Sequence, residues 1–174
     1  MIKDTLLEFV QEDAALNAMP KFGIAVSGGP DSVALAHGLM TSFEDRAFHV
    51  LTVDHGLRAA AKNEASAVAD WTHKFQNASH RILKWEGEKP DYAIMESARQ
   101  ARFQLMASYC QDNDIHCLFL AHHQDDQAET FLMRLAKGSG LDGLSGMKTL
   151  QRFDETLSLA RPFLPLPKKV LVDY

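Results

Sequence analysis

Short apolar runs that alternate with helix-like segments constrain the fold of this chain more than any other feature. The apolar runs are residues 22–26, 47–53, 81–85 and 115–121, and the stretch 157–163 is a candidate for one more. Helical spacing of apolar residues begins at Asp31 and recurs across residues 63–75, 94–110 and 126–137. Strands that alternate with helices of this length favour right-handed crossovers and parallel pairing. The sequence therefore predicts an α/β fold, a doubly wound parallel sheet of about five strands with helices on both faces.

The two ends of the chain depart from this repeating pattern. Residues 1–20 are predicted to form an N-terminal helical segment, with an amphipathic helix at residues 1–11, ahead of the α/β domain at residues 21–165. Several prolines within residues 162–167 then precede a segment where a new helix can start and the sequence stops. We interpret residues 166–174 as the start of a connection to C-terminal domains, and the chain as a fragment of a longer protein.

Composition narrows the class of protein. The net charge of -5 and the pI near 5.9 argue against a surface wholly devoted to nucleic acid, although a local basic patch is compatible with them. Cys110 and Cys117 fit neither a CxxC site nor a disulfide framework, and we interpret them as half-buried thiols in a reducing cytosol. No apolar run approaches the roughly 20 residues of a membrane helix, so we expect a cytoplasmic protein. Trp71 and Trp85 are predicted to lie in the core.

The loop after the first predicted strand has the chemistry of a phosphate-binding site. Adjacent glycines let the backbone approach an anion, and the next helix directs unpaired amides at it. Asp31 makes most sense as a ligand of Mg²⁺ that bridges phosphates. The loop has neither the Walker spacing with its lysine nor the GxGxxG fingerprint. The predicted phosphate-binding residues are Ser27, Gly28, Gly29, Pro30, Asp31 and Ser32.

A second polar block follows the fourth predicted strand. Asp126 and Glu129 are three residues apart at the start of a helix and therefore share a face, with His122 and His123 at its mouth. Ligands of parallel sheets bind beyond the carboxyl ends of the strands, so we expect this block to converge with the glycine loop. The alternative is purely structural: Asp125 caps the helix, and Asp126 and Glu129 compensate its dipole from the first turn.

These blocks resemble known families. The loop sequence SGGPDS resembles the SGGxDS motif of the N-type ATP pyrophosphatases, and residues 122–130, HHQDDQAET, resemble the HHxxDQxET block of tRNA(Ile)-lysidine synthetases. Residues 53–58, 96–103 and 137–147 resemble further blocks of that second family. Five ordered blocks thus cover most of the sequence between Phe22 and Met147.

The resemblance implies an activity. It is the ligation of free L-lysine to the wobble cytidine of a tRNA(Ile) with a CAU anticodon, through an adenylated cytidine, with ATP converted to AMP and pyrophosphate. The implied cofactors are ATP and Mg²⁺, and a homodimer is left open. Asp126 and Glu129 would bind the ammonium group of lysine or remove a proton from its amine. The residues assigned to catalysis are Asp31, His122, Asp126 and Glu129.

Cationic residues elsewhere in the blocks complete the expected nucleotide site. Arg99 and Arg102 are three apart on a predicted helix, so they can aim guanidinium groups at ATP phosphates or at the tRNA backbone. A solvated or ion-paired surface role is the alternative for both. His55 and Arg58 follow the second predicted strand, where they would line the nucleotide pocket or contact tRNA; the alternative is a surface loop with no role in the site.

Three other functions are compatible with parts of the pattern. A tRNA thiolation enzyme shares the glycine loop, but it typically carries CxxC pairs or an added catalytic cysteine, for which Cys110 and Cys117 are poorly placed. Amidotransferase-linked and NAD-synthesising pyrophosphatases do not explain the histidine and acid block. A non-catalytic nucleotide- or tRNA-binding module is the third alternative. Because lysidine synthetases usually continue past this point, we expect these 174 residues to bind ATP with Mg²⁺ and to modify tRNA weakly or not at all.

Overall fold

The computed structural model describes residues 1–54, 60–85, 94–138, 140 and 145–174. Within these residues, six strands form one sheet. In chain order they are β1 (Lys21–Ala25), β2 (Ala47–Asp54), β3 (Ala78–Lys84), β4 (Cys117–Phe119), β5 (Leu150–Arg152) and β6 (Ser158–Ala160). Their order across the sheet is β3-β2-β1-β4-β6-β5, and every pairing is parallel except that of β5 with β6. The predicted α/β fold with a mostly parallel sheet is confirmed.

Helices connect the parallel strands. The described helices are α1 (Ile2–Glu12), α2 (Ala14–Ala18), α3 (Pro30–Ser42), α4 (Ala60–Thr72), α5 (Ile94–Asp112), α6 (Gln124–Ala136) and α7 (Lys168–Val172). The short α2 lies within the predicted helical segment at residues 1–20, and the Asp13 carboxylate starts it by accepting hydrogen bonds from the amides of Ala15 and Leu16. Within the described parts of the chain, no helix combines the length and the apolar character needed to cross a membrane.

The sheet has a packed core on each face. On one face Phe22, Phe48 and Phe119 are fully buried, and the rings of Phe22 and Phe119 meet edge to face at 5.2 Å. On the other face Met106 and Cys110 of α5 belong to a smaller buried cluster. Helices therefore cover both faces, as the sequence predicts.

Two expectations about side-chain burial are wrong. Cys110 and Cys117 are fully buried rather than half-buried, and this burial raises the pKa of both thiols, that of Cys110 to about 12. Trp71 and Trp85 are half-buried rather than in the core, and Trp71 packs against the edge of the larger cluster. The cysteines therefore act as small apolar core residues in this fold.

The parallel pairing decides where the site lies. The amide of Val26 bonds to the carbonyl of Leu51 at 2.9 Å, and the amide of Leu120 bonds to the carbonyl of Ala160 at 2.8 Å, so the ladders continue just past the assigned strands. The carboxyl ends of β1, β2, β4 and β6 consequently meet at one edge of the sheet. The polar segments that follow these strands are held there by the backbone itself.

Candidate active site

A cleft of about 920 Å³ opens at this edge of the sheet. Its volume is within the range of pockets that hold small molecules and cofactors. The walls combine the ends of β1, β2 and β4 with the start of α3 and one side of α5. The predicted site residues that line it are Ser27, Gly29, Asp31, Ser32, Arg99, Arg102 and His122. Residues from three of the sequence blocks thus share one cavity.

The glycine loop is folded by its own hydrogen bonds. Gly28 has φ +90°, a left-handed conformation that favours glycine, and Gly29 caps α3 with Pro30 at the first helical position. The hydroxyl of Ser32 donates to the carbonyl of Gly29 at 2.9 Å and accepts from the amide of Ser27 at 3.2 Å. Ser32 therefore organises the loop from within, and its role as a phosphate donor stays a prediction.

His123 joins the glycine loop to α6. Its Nε2 lies 3.6 Å from Oδ2 of Asp31, and its Nδ1 lies 3.4 Å from Oδ2 of Asp126. The same carboxylate of Asp126 accepts a hydrogen bond from the backbone amide of His123 at 2.9 Å. The imidazole is buried, so the two carboxylates are held on either side of one enclosed ring. Sequence reasoning selected His122 and left His123 out, although the doubled histidine before the acids was the available signal.

His122 lies at the wall of the cleft in a setting that disfavours its charged form. Burial lowers its pKa to about 4, and Arg161, Arg99 and Arg102 push it in the same direction, whereas Asp126 opposes them. The imidazole is therefore neutral at neutral pH. A neutral ring can donate or accept one hydrogen bond in the cleft without carrying charge.

This pKa leads to a prediction for stability. The unfolded chain protonates His122 near its ordinary value of 6.5, whereas the folded chain does so near 4. The contribution of His122 to the free energy of unfolding is therefore complete above pH 6.5 and is lost as the pH falls toward 4, by up to about 1.4 kcal/mol per pH unit. We expect His122→Gln to flatten this decline. Urea unfolding of both proteins at pH 7, 6 and 5 measures it, and equal pH dependence would contradict the assignment.

Arginines form a cationic corner next to His122. Arg102 is largely enclosed, its Nε has no hydrogen-bond partner, and burial followed by the charge of Arg99 lowers its pKa. Arg161 is 5% exposed, and burial and Arg99 lower its pKa too. In the described part of the chain, no carboxylate lies within 4 Å of a guanidinium nitrogen of these three arginines. Sequence reasoning did not select Arg161.

The two predicted carboxylates of helix α6 differ in their exposure to solvent. Asp126 is half-buried against His123, whereas Glu129 is exposed. Gln127, between them, holds the backbone of Met147 through two hydrogen bonds of 2.7 Å, one donated and one accepted by its amide. The block at residues 122–130 is therefore tied both to the glycine loop and to the end of the block at residues 137–147.

Some predicted site residues fall outside the described residues. They are His55 and Arg58, along with residues 139 and 141–144 of the glycine-rich block. Among the side chains that the structure describes, no group of three or more histidines, cysteines and acids could by itself hold a metal ion. Asp31 remains the predicted metal ligand, and its Oδ1 is buried with no hydrogen-bond partner.

The parallel sheet, the glycine loop at a helix start and the adjoining cleft define an α/β protein of nucleotide-binding type. A family model described as a PP-loop domain matches residues 2–174. The chain belongs to the PP-loop domain family.

Curated relatives are similar over most of this chain. A tRNA(Ile)-lysidine synthase from Methylobacterium nodulans is 46% identical over 149 residues, which cover 86% of this chain and 43% of the relative. One from Bradyrhizobium diazoefficiens is 42% identical over 163 residues, with 91% and 45% covered. The chain thus spans less than half the length of these relatives.

Solved structures share the fold at low identity. A U34-tRNA thiolase NcsA from Methanococcus maripaludis superposes with a TM-score of 0.81 at 14% identity, over 98% of this chain and 61% of that one. An NH3-dependent NAD synthetase from Campylobacter jejuni gives a TM-score of 0.62 at 14% identity, over 99% and 71%. At such identities the likeness concerns the fold alone.

Proposed function

We propose that this chain is the ATP-using domain of an enzyme that ligates L-lysine to the wobble cytidine of tRNA(Ile) with a CAU anticodon. The observation that carries the proposal is the contact of Asp31 with His123 and of His123 with Asp126. Through it, the block that resembles lysidine synthetases and the phosphate loop form one site. Identities of 42–46% to curated enzymes of that name support the same substrate class.

The chemistry requires an activated carbonyl oxygen. The cytidine 2-carbonyl oxygen attacks the α-phosphorus of ATP and displaces pyrophosphate. The lysine amine then attacks the ring carbon that carries this oxygen and displaces AMP. Binding both partners in one cleft replaces an improbable encounter with an intramolecular step. The amides at the start of α3 would hold the leaving pyrophosphate, and Arg99 and Arg102 would neutralise charge that accumulates on the phosphates.

Asp31 is the proposed ligand of Mg²⁺. Its buried Oδ1 has no hydrogen-bond partner, which fits a cation as its missing partner. Magnesium commonly binds one or two carboxylates together with substrate phosphates, so a single protein carboxylate beside the phosphate loop suits it. The ion would withdraw charge from the phosphates. Asp31 would orient it from the first turn of α3.

The carboxylates of α6 are proposed to receive the lysine. Glu129 is exposed and can accept an ammonium group directly, whereas Asp126 is held by the amide and ring of His123. His122 is a poor general base, since its pKa is about 4. We therefore assign binding of the lysine amine to Glu129, with Asp126 beside it. The same two carboxylates are proposed to remove the proton from that amine.

The remaining expectations stay proposals. They are a cytoplasmic location, a homodimer, the nucleotide role of His55, and the division at residues 20 and 165 into a helical segment, a pyrophosphatase domain and a connection. The side chains of Ile2, Leu6 and Val10 on α1 are buried in the larger core cluster, so the helical segment packs with the domain that follows it.

The thiolation alternative shares the fold, since a U34-tRNA thiolase superposes with a TM-score of 0.81 at 14% identity, but this likeness does not favour one reaction over the other. A thiolation reaction needs an accessible sulfur carrier or a cluster ligand. Both cysteines of this chain are fully buried, and burial raises their pKa values, so neither thiol is available as a nucleophile. The lysine reaction is favoured on this ground.

The test is a single-turnover assay with the protein in excess over tRNA, so that weak tRNA binding does not hide the reaction. Because these 174 residues are expected to modify tRNA only weakly, we expect slow release of pyrophosphate from ATP with Mg²⁺ and unmodified tRNA(Ile), followed by a small yield of product with a lysine-dependent mass increase at the wobble cytidine. A tRNA with a GAU anticodon is the control and should give neither. Bound ATP without tRNA-dependent pyrophosphate release would favour a non-catalytic module, and sulfur in the product would favour thiolation.

A further inference from the structure

Arg161 occupies a position at the functional edge of the sheet that the proposed reaction leaves without a role. It directly follows β6, whose Ala160 pairs with Phe119 of the parallel strand β4. Since β4 leads into His122, the two strands bring Arg161 and His122 to the same edge. The position of Arg161 is also fixed by its backbone, because its amide donates to the carbonyl of Thr149 at 2.6 Å.

The guanidinium of Arg161 is enclosed, and no carboxylate among the described residues lies within 4 Å of it. Nη1 donates to the carbonyl of Lys148 at 3.0 Å and to the side-chain oxygen of Gln151 at 3.2 Å, and both acceptors are neutral. Nε is buried and has no hydrogen-bond partner in the described part of the chain, and the residue is 5% exposed. A buried cation that lacks both a carboxylate and a full set of hydrogen bonds is costly to retain. An anionic ligand would remove that cost.

Arg161 is not itself among the described residues that line the cleft, but the charge of another cation acts on it. The charge of Arg99 acts on both Arg102 and Arg161, and all three arginines act on His122. Arg99, Arg102 and His122 line the cleft. Like charges gathered around one wall repel each other, and an anion bound among them would relieve this repulsion.

We propose that Arg161, together with Arg99 and Arg102, forms an oxyanion-binding subsite at the cleft, separate from the amides of the glycine loop. Two groups share the required chemistry, a phosphate of the nucleotide and the α-carboxylate of the amino acid, because both offer planar or tetrahedral oxygens to a guanidinium fork. The identity of the two candidate ligands rests on the proposed function, whereas anion binding by Arg161 does not.

A purely structural role for Arg161 makes a different prediction. In that case the residue would only tie β6 to the segment that contains Lys148 and Gln151. Gln151→Ala removes one of these ties and keeps the positive charge, so it is the matched control. Arg161→Gln removes the charge and keeps an amide donor, and Arg161→Lys keeps the charge and loses the planar fork.

The experiment is calorimetric titration of the wild-type chain and these variants with ATP and Mg²⁺, inorganic pyrophosphate, L-lysine and L-lysinamide. We expect Arg161→Gln to weaken binding of one class of anion about 10-fold or more, which corresponds to one charge-assisted hydrogen bond. The affinity of Arg161→Lys for this anion should lie between those of wild type and Arg161→Gln, and the affinity of Gln151→Ala should stay near that of wild type. If Arg161→Gln binds ATP and pyrophosphate more weakly, the ligand of the subsite is a phosphate. If it binds lysine more weakly but lysinamide as tightly as wild type, the ligand is the carboxylate.

The outcome remains decisive if a variant folds poorly. In the wild-type chain, the NMR resonance of the Arg161 Nε–H should shift when the bound anion is added, because that group has no partner without it. Three results would each overturn the subsite. They are anion binding with wild-type affinity by a folded Arg161→Gln, equal losses of affinity in Arg161→Gln and Gln151→Ala, and an Nε–H resonance that does not shift at saturation. Binding of pyrophosphate needs neither tRNA nor turnover, so a failure to form lysidine does not affect this test. Likewise, a failure of Arg161 to bind an anion does not contradict the proposed lysidine reaction.

Discussion

Asp31→Asn is expected to slow tRNA-dependent pyrophosphate release from ATP by about 100-fold or more, the size of effect seen when one charge-stabilising group is removed from a transition state. Asparagine keeps the size and one oxygen of the side chain but loses the negative charge that a magnesium ion would need. The buried, unpartnered Oδ1 is the atom whose role changes. The measurement is the rate of pyrophosphate release across a series of Mg²⁺ concentrations.

The controls for this substitution separate charge at the site from charge in general. Asp125→Asn removes a carboxylate from the exposed first turn of α6, next to the site, and should leave the rate within a few-fold of wild type. Thermal unfolding of Asp31→Asn should stay close to that of wild type, because asparagine has nearly the same size and the nearest ring nitrogen of His123 lies 3.6 Å from the Asp31 carboxylate. An unchanged rate with normal magnesium dependence would remove Asp31 from the mechanism.

The parts of the fold that were predicted from sequence are those with a local signal. β1, the glycine loop and α3 follow one another within about 20 residues, and each carries its own pattern: an apolar run, turn residues, then helical spacing. β5 was missed because its three residues are half-buried or exposed and follow a glycine-rich segment. Its place in the sheet depends on antiparallel pairing with β6, which no short-range pattern encodes.

The candidate site divides in the same way. Residues chosen from single motifs, such as Asp31, Arg102 and His122, do line the common cleft. The residues that were missed owe their position to contacts between distant segments. His123 is significant because it contacts Asp31 on another helix, and Arg161 because β6 pairs with β4. Such roles depend on how the strands are ordered in the sheet, which the motifs do not specify.

The contact between His123 and Asp31 also changes the interpretation of the acidic block. For Asp126 the sequence left two alternatives open, compensation of the α6 dipole and participation in the site, and it assigned the N-cap to Asp125. That assignment is wrong, because His123 is the N-cap and the side chain of Asp126 accepts a hydrogen bond from its backbone amide. The same oxygen faces the His123 ring, whose other nitrogen faces Asp31. Asp126 therefore both caps the start of α6 and holds the His123 ring, which contacts the phosphate loop at Asp31.

His123→Phe is expected to have the second large effect. Phenylalanine fills a similar volume but removes both ring nitrogens, so the carboxylates of Asp31 and Asp126 lose the group between them. We expect a loss of about 1–3 kcal/mol in the free energy of unfolding, the usual cost of leaving a buried polar group unsatisfied. We also expect pyrophosphate release to slow by about 10-fold or more, since a small displacement of a positioned group has that effect. Urea unfolding and the single-turnover assay measure the two quantities.

A double-mutant cycle distinguishes positioning of Asp31 from a general loss of packing. If His123 acts by orienting Asp31, then adding His123→Phe to Asp31→Asn should slow the reaction far less than it slows wild type, because the oriented charge is already gone. The matched control pairs His123→Phe with Arg99→Gln, whose side chain is exposed on α5 and does not contact His123, and those effects should add. Additive effects in both cycles would mean that His123 supports the fold and does not position Asp31.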